Sequence, residues 1–243
     1  MTNVDERIVI EPQVRKHCGP IFFPSSLASP LGTIMGTGTF GLIDTGQLKL
    51  LVTAWHVIYG EGGFKEAHTK NSKCRFAFGI GDAPTSISSE GLMAMQVGED
   101  GKRDLVTFDV SDHSGIFEAM GLEFYNLKAN RPPKTINNDD RLYFVGFPAK
   151  HRVEKEKSVG HARQFFGVKA IVGQTGFCAN VKRFGLNETD YGGISGAPCY
   201  VVNKNCSIRL VGFATDYTGP LNNLLTFTHV RYIMQNGSVD YMA

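Results

Sequence analysis

The sequence lacks the features that mark secreted, membrane-spanning and zinc-binding chains. Its N-terminus, Met1–Arg7, is polar and acidic and has no apolar core of the kind found in secretory signals. No apolar run approaches the length of a membrane span. The five cysteines are odd in number and include no Cys-x-x-Cys pair, which argues against a zinc site. These absences predict a cytoplasmic protein with no metal, no cofactor and no membrane partner.

Neither sign of charge predominates in the sequence. The net charge is only +2, so composition gives no reason to expect a nucleic-acid partner. A chain of 243 residues can bury about three quarters of the surface that its unfolded form exposes, so folding needs no disulfide. Cys199 and Cys206 could face each other across a hairpin, but reduced, buried thiols are the expectation for a cytoplasmic protein.

Long stretches with a 3.6-residue period are missing, and the pattern predicts an all-β protein of many short strands and turns. The predicted strands are Thr33–Ile43, Lys49–Ala54, Arg75–Gly79, Leu92–Val97, Leu105–Val110, Arg141–Gly146, Arg163–Val172, Gly176–Val181, Ala197–Val202, Arg209–Ala214 and Leu224–Thr228. Turn-forming residues over 126–140 predict a linker between two strand-rich halves. The charged stretch 150–157 predicts a surface loop, and His229–Gln235 predicts a short helix.

Three stretches, in the order His, Asp, Ser, carry the chemistry of the chain. They are Thr53-Ala54-Trp55-His56, Asp104-Leu105-Val106 and Gly193-Ile194-Ser195-Gly196-Ala197-Pro198. A serine hydroxyl is a poor nucleophile at neutral pH, so it needs a base to take its proton, and that base needs a third group to fix its tautomer. Histidine is the natural base because its pKa lies near working pH.

The three stretches resemble the trypsin-like serine proteases of the chymotrypsin fold. Gly193–Pro198 is similar to the family's Gly-x-Ser-Gly-x-Pro, Thr53–His56 to its Thr-Ala-x-His, and Asp104–Val106 to its Asp-Leu-Ala. In addition, Gly36–Phe40 resembles a Gly-x-Gly-Phe strand of bacterial members, including HtrA-type peptidase domains, and Leu142–Pro148 resembles the Gly-Tyr-Pro turn that opens their second barrel. The resemblance covers about residues 20 to 235, which is nearly the whole chain.

The resemblance implies an all-β fold of two six-stranded antiparallel β-barrels, with the active site in the cleft between them and a short C-terminal helix. Residues 20–125 would form the N-terminal barrel with His and Asp, 126–140 the linker, 141–228 the C-terminal barrel with Ser, and 229–243 a helix or tail. The whole chain, 1–243, would be one peptidase unit without a separate peptide-binding domain.

The resemblance also implies a role for each site residue. Ser195 attacks a protein or peptide substrate, His56 moves the proton and Asp104 orients His56, while the N–H groups of Gly193 and Ser195 form the oxyanion hole. Residues that would bind the substrate are Thr189, Asp190, Gly212, Phe213 and Ala214. If Asp190 forms the floor of the primary pocket, it favours Lys or Arg at the cleavage site.

One departure from the digestive members of this family concerns activation. They carry Asp before the serine, where it pairs with the amine of a cleaved N-terminus, and this chain has Ile194. Arg7-Ile8 therefore looks like an activation site without a partner for the new amine. Bacterial members without that ion pair are the better comparison, and regulation would come from loop ordering or a regulatory protein partner.

Three alternatives stay open at this point. Asp109 and Asp112 lie close enough in sequence to rival Asp104 as the third group. Gly36–Gly41 matches the GxGxxG pattern of nucleotide-binding loops, although a strand is predicted where a dinucleotide site needs a helix and no Asp-Phe-Gly of a kinase occurs. Finally, a catalytically silent fold of this kind would serve as a peptide- or protein-binding module.

Overall fold

The structure is a computed structural model, and closed β-barrels make up most of it. It describes residues 6–24, 34–59, 73–78, 92–138, 140–148, 152–155, 158–161, 164–173, 176–184, 193–203, 205–218 and 223–240. The predicted strand ends at Thr33, Gly79 and Arg163 lie outside the described residues.

The first half of the chain forms a six-stranded antiparallel barrel with one added strand. Its strands are β1 (Cys18–Pro24), β2 (Ile34–Asp44), β3 (Lys49–Thr53), β4 (Lys73–Phe78), β5 (Leu92–Asp100), β6 (Leu105–Asp109) and β7 (Tyr125–Asn126). The order is β1-β4-β5-β6-β3-β2, and the pairing of β1 with β2 closes the ring. The two-residue β7 lies outside the ring, parallel to the end of β2.

The second half of the chain forms the second barrel. Its strands are β8 (Arg141–Gly146), β9 (Arg152–Lys155), β10 (Ser158–His161), β11 (Gln164–Val172), β12 (Phe177–Asn180), β13 (Pro198–Val202), β14 (Ile208–Thr218) and β15 (Leu224–His229). Six of them close in the order β11-β12-β15-β14-β13-β8. The two antiparallel barrels expected from the sequence are therefore confirmed.

The hairpin of β9 and β10 corrects the surface loop predicted for 150–157. Its two strands pair with each other and form a two-stranded sheet of their own. The high charge of the stretch is typical of a loop, and for this reason the sequence analysis did not predict the two strands. They belong to neither barrel.

In the described ranges, three short α-helices accompany the barrels: α1 (Glu6–Arg15), α2 (Trp55–Tyr59) and α3 (Ser114–Ala119). The sequence analysis did not predict α1, which contains a proline and buries only one narrow stripe of side chains, including Ile10 and Val14. It packs mainly against β8 of the second barrel. Within the described part of the chain, no helix has the length and apolar character that crossing a membrane requires.

The predicted C-terminal helix is a single 3₁₀ turn over Val230–Tyr232. The residue before it, His229, still belongs to β15. After it, Ile233 pairs with Val239 in an isolated β-bridge. Because a tight turn uses the backbone groups of this segment, a longer helix cannot form there.

The hydrophobic core has three parts. One fills the N-terminal barrel around Phe40 and Phe108. A second fills the C-terminal barrel around Phe144 and Phe166, whose rings stack at 4.5 Å between centroids. The third lies between the barrels and takes residues from both, with Phe213 fully buried in it.

Close approach of the backbones makes this third core possible. A Cβ at Gly41 of β2 would come within 2.7 Å of the Phe213 ring, so any larger residue would push the barrels apart. Burial of apolar surface contributes about 25 cal/mol per Å² to stability. The interface between the barrels is thus a core in its own right, and it fixes their relative position.

His17 shows how tightly the N-terminal segment is packed. It lies between α1 and β1, is only 5% exposed, and its Nδ1 lies 2.8 Å from the carbonyl oxygen of Glu123. Its ring stands edge-on to Tyr125. Burial is the main cause that lowers the pKa of His17, from 6.5 to about 4.

We expect this buried histidine to make the protein less stable in acid. In the unfolded state His17 is protonated below about pH 6.5, whereas in the folded state it is protonated only below about pH 4. The free energy of unfolding should therefore fall across that range, by roughly 3 kcal/mol from this group. Urea unfolding at several pH values measures this free energy. Its decrease between pH 6.5 and pH 4 should be smaller in His17→Gln than in the wild type. Equal decreases in the two proteins would contradict the prediction.

Candidate active site

The first barrel supplies a histidine at the start of α2. The strand β3 before it is buried from Leu50 to Thr53, and Ala54 is completely buried. The first N–H groups of α2 have no acceptor within the helix, as at any helix start. Asp104 accepts both, since its carbonyl oxygen lies 3.1 Å from the nitrogen of Trp55 and its Oδ1 lies 2.7 Å from that of His56.

The same aspartate holds the ring of His56. Oδ2 of Asp104 lies 2.6 Å from Nδ1 of His56. A carboxylate only accepts, so Nδ1 carries the proton and Nε2 is left as an acceptor. Asp104 ends the turn between β5 and β6 and has a φ of +55°, in the left-handed region that aspartate tolerates better than most residues.

The two rival aspartates lie elsewhere. Asp109 accepts hydrogen bonds from the backbone nitrogen and the hydroxyl of Ser111, at 2.9 and 2.6 Å. Asp112 is exposed in the first turn of a 3₁₀ helix. Of the three candidates, only Asp104 contacts His56 in the described residues.

The second barrel supplies the serine. The Oγ of Ser195 lies 3.0 Å from Nε2 of His56, so its hydroxyl donates to the free acceptor of the ring. Ser195 itself is 8% exposed, whereas the His56 side chain is 43% exposed. His56 therefore bridges Asp104 and Ser195 across the cleft between the barrels.

Tight backbone packing sets the direction of the serine. Gly196 has a φ of +90°, and a Cβ there would overlap the carbonyl oxygen of Thr39, so only glycine fits. Its nitrogen donates to the carbonyl oxygen of Ala214 at 2.7 Å. Ile194 is fully buried in the core of the second barrel. These contacts anchor the loop on both sides of Ser195, which stays largely buried next to His56.

Thr39 was missed by the sequence analysis, although it anchors the serine loop from the opposite barrel. Its nitrogen donates to the carbonyl oxygen of Ser195 at 2.8 Å, and its hydroxyl donates to that of Gly193 at 2.7 Å. Its own carbonyl oxygen accepts from the hydroxyl of Thr53 at 2.8 Å. Thr39 lies within the Gly-rich stretch noted above, but nothing in that pattern singles out a hydroxyl that reaches across the interface.

The two predicted oxyanion donors lie on this loop. The carbonyl of Gly193 points toward Thr39. In the part of the chain that the structure describes, no backbone carbonyl accepts from the N–H of Ser195.

The predicted substrate-binding residues separate into two groups. Thr189 and Asp190 lie outside the described residues. Phe213 and Ala214 are completely buried, and Gly212 is buried beside them. Both backbone groups of Ala214 are already bonded to the serine loop. These three residues thus lie beneath the serine loop. Thr215 after them is also buried, and the next residue of the strand, Asp216, is exposed.

The positions of Ile8 and Ile194 argue against activation through an ion pair of a new N-terminal amine. Ile8 lies on α1 with 72% of its surface exposed. Ile194 carries no charge and is fully buried, so an amine at position 8 would find no carboxylate there.

A cavity of about 650 Å³ opens beside His56. Both barrels line it, with Trp55, His56 and the turn Gly101–Asp104 from the first, and Thr215, Asp216 and Tyr232 among those from the second. His229 also lines it, and burial, followed by the charge of Arg231, lowers the pKa of His229 to about 4. His229 therefore stays neutral near pH 7 and is not a second proton donor there.

Metal and thiol chemistry find little support in the described residues. No group of three or more His, Cys, Asp or Glu side chains in the described ranges is arranged to hold a metal ion. Cys178, Cys199 and Cys206 are thiols outside any disulfide. Burial raises the pKa of Cys199 well above its usual value, so this thiol is not a nucleophile at neutral pH.

Two six-stranded antiparallel barrels with the candidate site in the cleft between them constitute the chymotrypsin-like fold of the trypsin-like serine proteases, and the chain has this fold. Solved structures resemble it at low sequence identity. The thermostable serine protease AL20 from an extremophilic microorganism is 14% identical, with a TM-score of 0.53, over 88% of this chain and 91% of that one.

Two further structures are less similar. A protease of M. tuberculosis in its active form is 12% identical, with a TM-score of 0.49, over 93% of this chain and 83% of that one. A serine protease of a human pathogenic astrovirus is 17% identical, with a TM-score of 0.48, over 89% and 90%. No protein-family model matches the sequence, and no curated protein does. Activity must therefore be argued from the site itself.

We expect Thr39→Val to loosen the serine loop. Valine has nearly the same shape, but it leaves the buried carbonyl oxygen of Gly193 without its donor. Such a loss costs about 1–3 kcal/mol, which chemical denaturation measures. Thr39→Ser keeps the hydroxyl and serves as the control. If both variants lose the same stability, the hydroxyl is not what anchors the loop.

Proposed function

We propose that the protein is a serine endopeptidase that hydrolyses peptide bonds through an acyl-enzyme intermediate. One observation carries this proposal. The ring of His56 lies between the carboxylate of Asp104 at 2.6 Å and the hydroxyl of Ser195 at 3.0 Å. Serine hydrolysis requires a nucleophile, a base and an orienting carboxylate in this relation. In this proposal residues 1–243 act as one peptidase unit, with His56 and Asp104 from 20–125 and Ser195 from 141–228.

Each group has a defined step. The hydroxyl of Ser195 gives its proton to Nε2 of His56 as Oγ attacks the carbonyl carbon of the peptide. Asp104 keeps the proton on Nδ1 and stabilises the imidazolium that forms. His56 then gives the proton to the leaving amine as the C–N bond breaks, which leaves an ester on Ser195. A water molecule, deprotonated by His56, hydrolyses that ester and restores the serine.

The negative oxygen of each tetrahedral intermediate needs donors. We assign this role to the N–H groups of Gly193 and Ser195. The loop conformation supports the assignment, because Gly196 and Thr39 together hold the loop in a tight turn. Loss of one such donor typically costs about 100- to 1000-fold in rate.

The substrate backbone has a candidate path along β14, which continues past the serine loop to Thr218. Thr215 and Asp216 of this strand line the cavity beside His56. We propose that an extended peptide lies beside this segment, which directly follows the Gly212–Ala214 segment expected from the sequence. A cytoplasmic location and a regulatory protein partner stay predictions.

Fluorophosphonate labelling tests the proposed function directly. Wild-type protein should gain the mass of one adduct, because only an activated serine reacts. Ser195→Ala should gain none, and its kcat on a peptide substrate should fall about a million-fold. Unchanged near-UV circular dichroism would show that the variant is folded. An unlabelled wild type, or hydrolysis that persists in purified Ser195→Ala, would refute the proposal; the first result would leave a silent binding module.

A second experiment tests the role of the aspartate. Asp104→Asn should lower kcat about 10,000-fold, because an amide can donate to Nδ1 and stabilise the wrong tautomer of His56. Asp109→Asn is the matched control, since an amide oxygen still accepts from Ser111. We expect near wild-type turnover in this control. Equal losses in the two variants would argue against Asp104 as the orienting group.

A further inference from the structure

We infer that Arg103 is a positioning residue, which holds the turn carrying Asp104 against the second barrel and so sets the orientation of the Asp104 carboxylate toward His56. The inference rests on the proposed function. It concerns four residues, which we call the Arg103 cluster: Asp100, Arg103, Thr228 and Tyr232.

Two members of the Arg103 cluster, Asp100 and Arg103, belong to the first barrel and lie at or next to the turn between β5 and β6. Asp100 ends β5, and its side chain is completely buried. Arg103 lies three residues later, with Nε 3.4 Å from Oδ2 of Asp100 and 22% of its side chain exposed. A buried carboxylate needs a nearby cation, and Arg103 supplies that charge. This contact is an ion pair and not a hydrogen bond, and it draws the Arg103 side chain toward the first barrel.

The second barrel holds Arg103 from the other side. The guanidinium carbon lies 3.4 Å from the centre of the Tyr232 ring, which is the stacked arrangement that arginine favours on aromatic faces. Tyr232 follows β15 in the 3₁₀ turn described above. The contact joins a planar cation of one barrel to an aromatic ring of the other.

A hydrogen bond acts on the adjoining peptide. The hydroxyl of Thr228 in β15 donates to the carbonyl oxygen of Arg103 at 2.6 Å. That carbonyl belongs to the peptide group that joins Arg103 to Asp104, so its direction sets φ of Asp104. The next carbonyl, of Asp104 itself, accepts from Trp55 at 3.1 Å. Both peptide groups around Asp104 are thus held, one by each barrel.

This double hold accounts for the unusual backbone of Asp104. Asp104 has a φ of +55°, which is unfavourable for a residue that has a side chain. Contacts from both barrels stabilise this conformation. At this φ the carboxylate reaches both the nitrogen and the ring of His56. If the turn relaxed, the carboxylate would lose this double contact, and His56 would lose its fixed tautomer.

The test compares Arg103→Ala and Arg103→Lys with Arg231→Ala. Arg231 is the matched control, since it also lies over the Tyr232 ring, at 5.1 Å, and donates to its hydroxyl, but it is exposed and does not line the cavity beside His56. Arg103→Lys keeps the charge next to Asp100 and loses the flat stack. It keeps the test valid if Arg103→Ala does not fold.

The first readout needs no activity. The Nδ1 proton of His56, bonded to Asp104, should give a proton NMR signal far downfield of the amide region in wild type, and this signal should be absent from His56→Ala. We expect Arg103→Ala and Arg103→Lys to broaden or lose it, and Arg231→Ala to keep it. A signal unchanged in both Arg103 variants overturns the inference, even if the wild type proves to be catalytically silent.

The second readout is the rate of fluorophosphonate labelling against pH. The Arg103 variants should label about 10- to 100-fold more slowly, as expected when a reacting group is misplaced by about 1 Å. In the same variants the pH midpoint of labelling should fall, because an imidazolium without its carboxylate is less stable. The charged or titratable groups that line the cavity with His56 are Lys102, Arg103, Asp104, Asp216, His229 and Tyr232; only Arg103 is substituted.

The sign of the shift separates positioning from a simple effect of charge. Removal of a cation alone would stabilise the imidazolium and raise the midpoint. A raised or unchanged midpoint in folded Arg103 variants therefore overturns the inference, and so does a loss of equal size in Arg231→Ala. An unlabelled wild type refutes the proposed function instead, and the NMR signal then decides the role of Arg103.

Discussion

The apolar core between the two barrels is the constraint on which the rest of the structure depends. Each barrel carries part of the candidate site, with His56 and Asp104 on the first and Ser195 on the second. Neither barrel alone brings these groups within hydrogen-bond distance. Burial of Phe213 against Gly41 sets the separation of the barrels, and Thr39 then bonds the first barrel to the serine loop of the second. Interiors of this kind are close-packed and resist sliding, so the distances at His56 follow from the packing beneath it.

Polar contacts across the interface refine what the apolar core sets approximately. Hydrogen bonds are directional, and those of Thr39 and Thr228 act on backbone carbonyls next to Ser195 and Asp104. The ring of Tyr232 and the charge of Asp100 hold Arg103 between them. Each of these contacts is buried or partly buried, where the cost of an unmade hydrogen bond is high. Order at the site therefore comes from groups that do not take part in the proposed chemistry.

Two titratable groups near the site and one rival carboxylate are not available as the base that the proposed mechanism needs. His229 shares the cavity beside His56, but burial keeps it neutral at pH 7. Cys199 lies in the barrel core with its pKa raised. The carboxylate of Asp109, a rival on sequence grounds, is used by the turn that follows β6. Among the described neighbours of Ser195, this leaves His56 as the base that the proposed mechanism needs.

The sequence by itself determined the fold class and the candidates. Alternating strands and frequent turns are local patterns, and they predicted an all-β protein in two strand-rich halves. The stretches around His56, Asp104 and Ser195 carried the resemblance that implied two barrels with the site between them. The helix α1 and the β9–β10 hairpin were not predicted, because α1 contains a proline and the hairpin lies in a highly charged stretch. Only the tertiary structure decided between Asp104 and Asp109 as the neighbour of His56, showed that Gly212–Ala214 is buried beneath the serine loop, and brought Thr39 and Arg103 into the account. The physical reason is that each of these depends on contacts between residues far apart in sequence, within one barrel or across the two, and spacing along the chain carries no record of which side chains meet in the folded state.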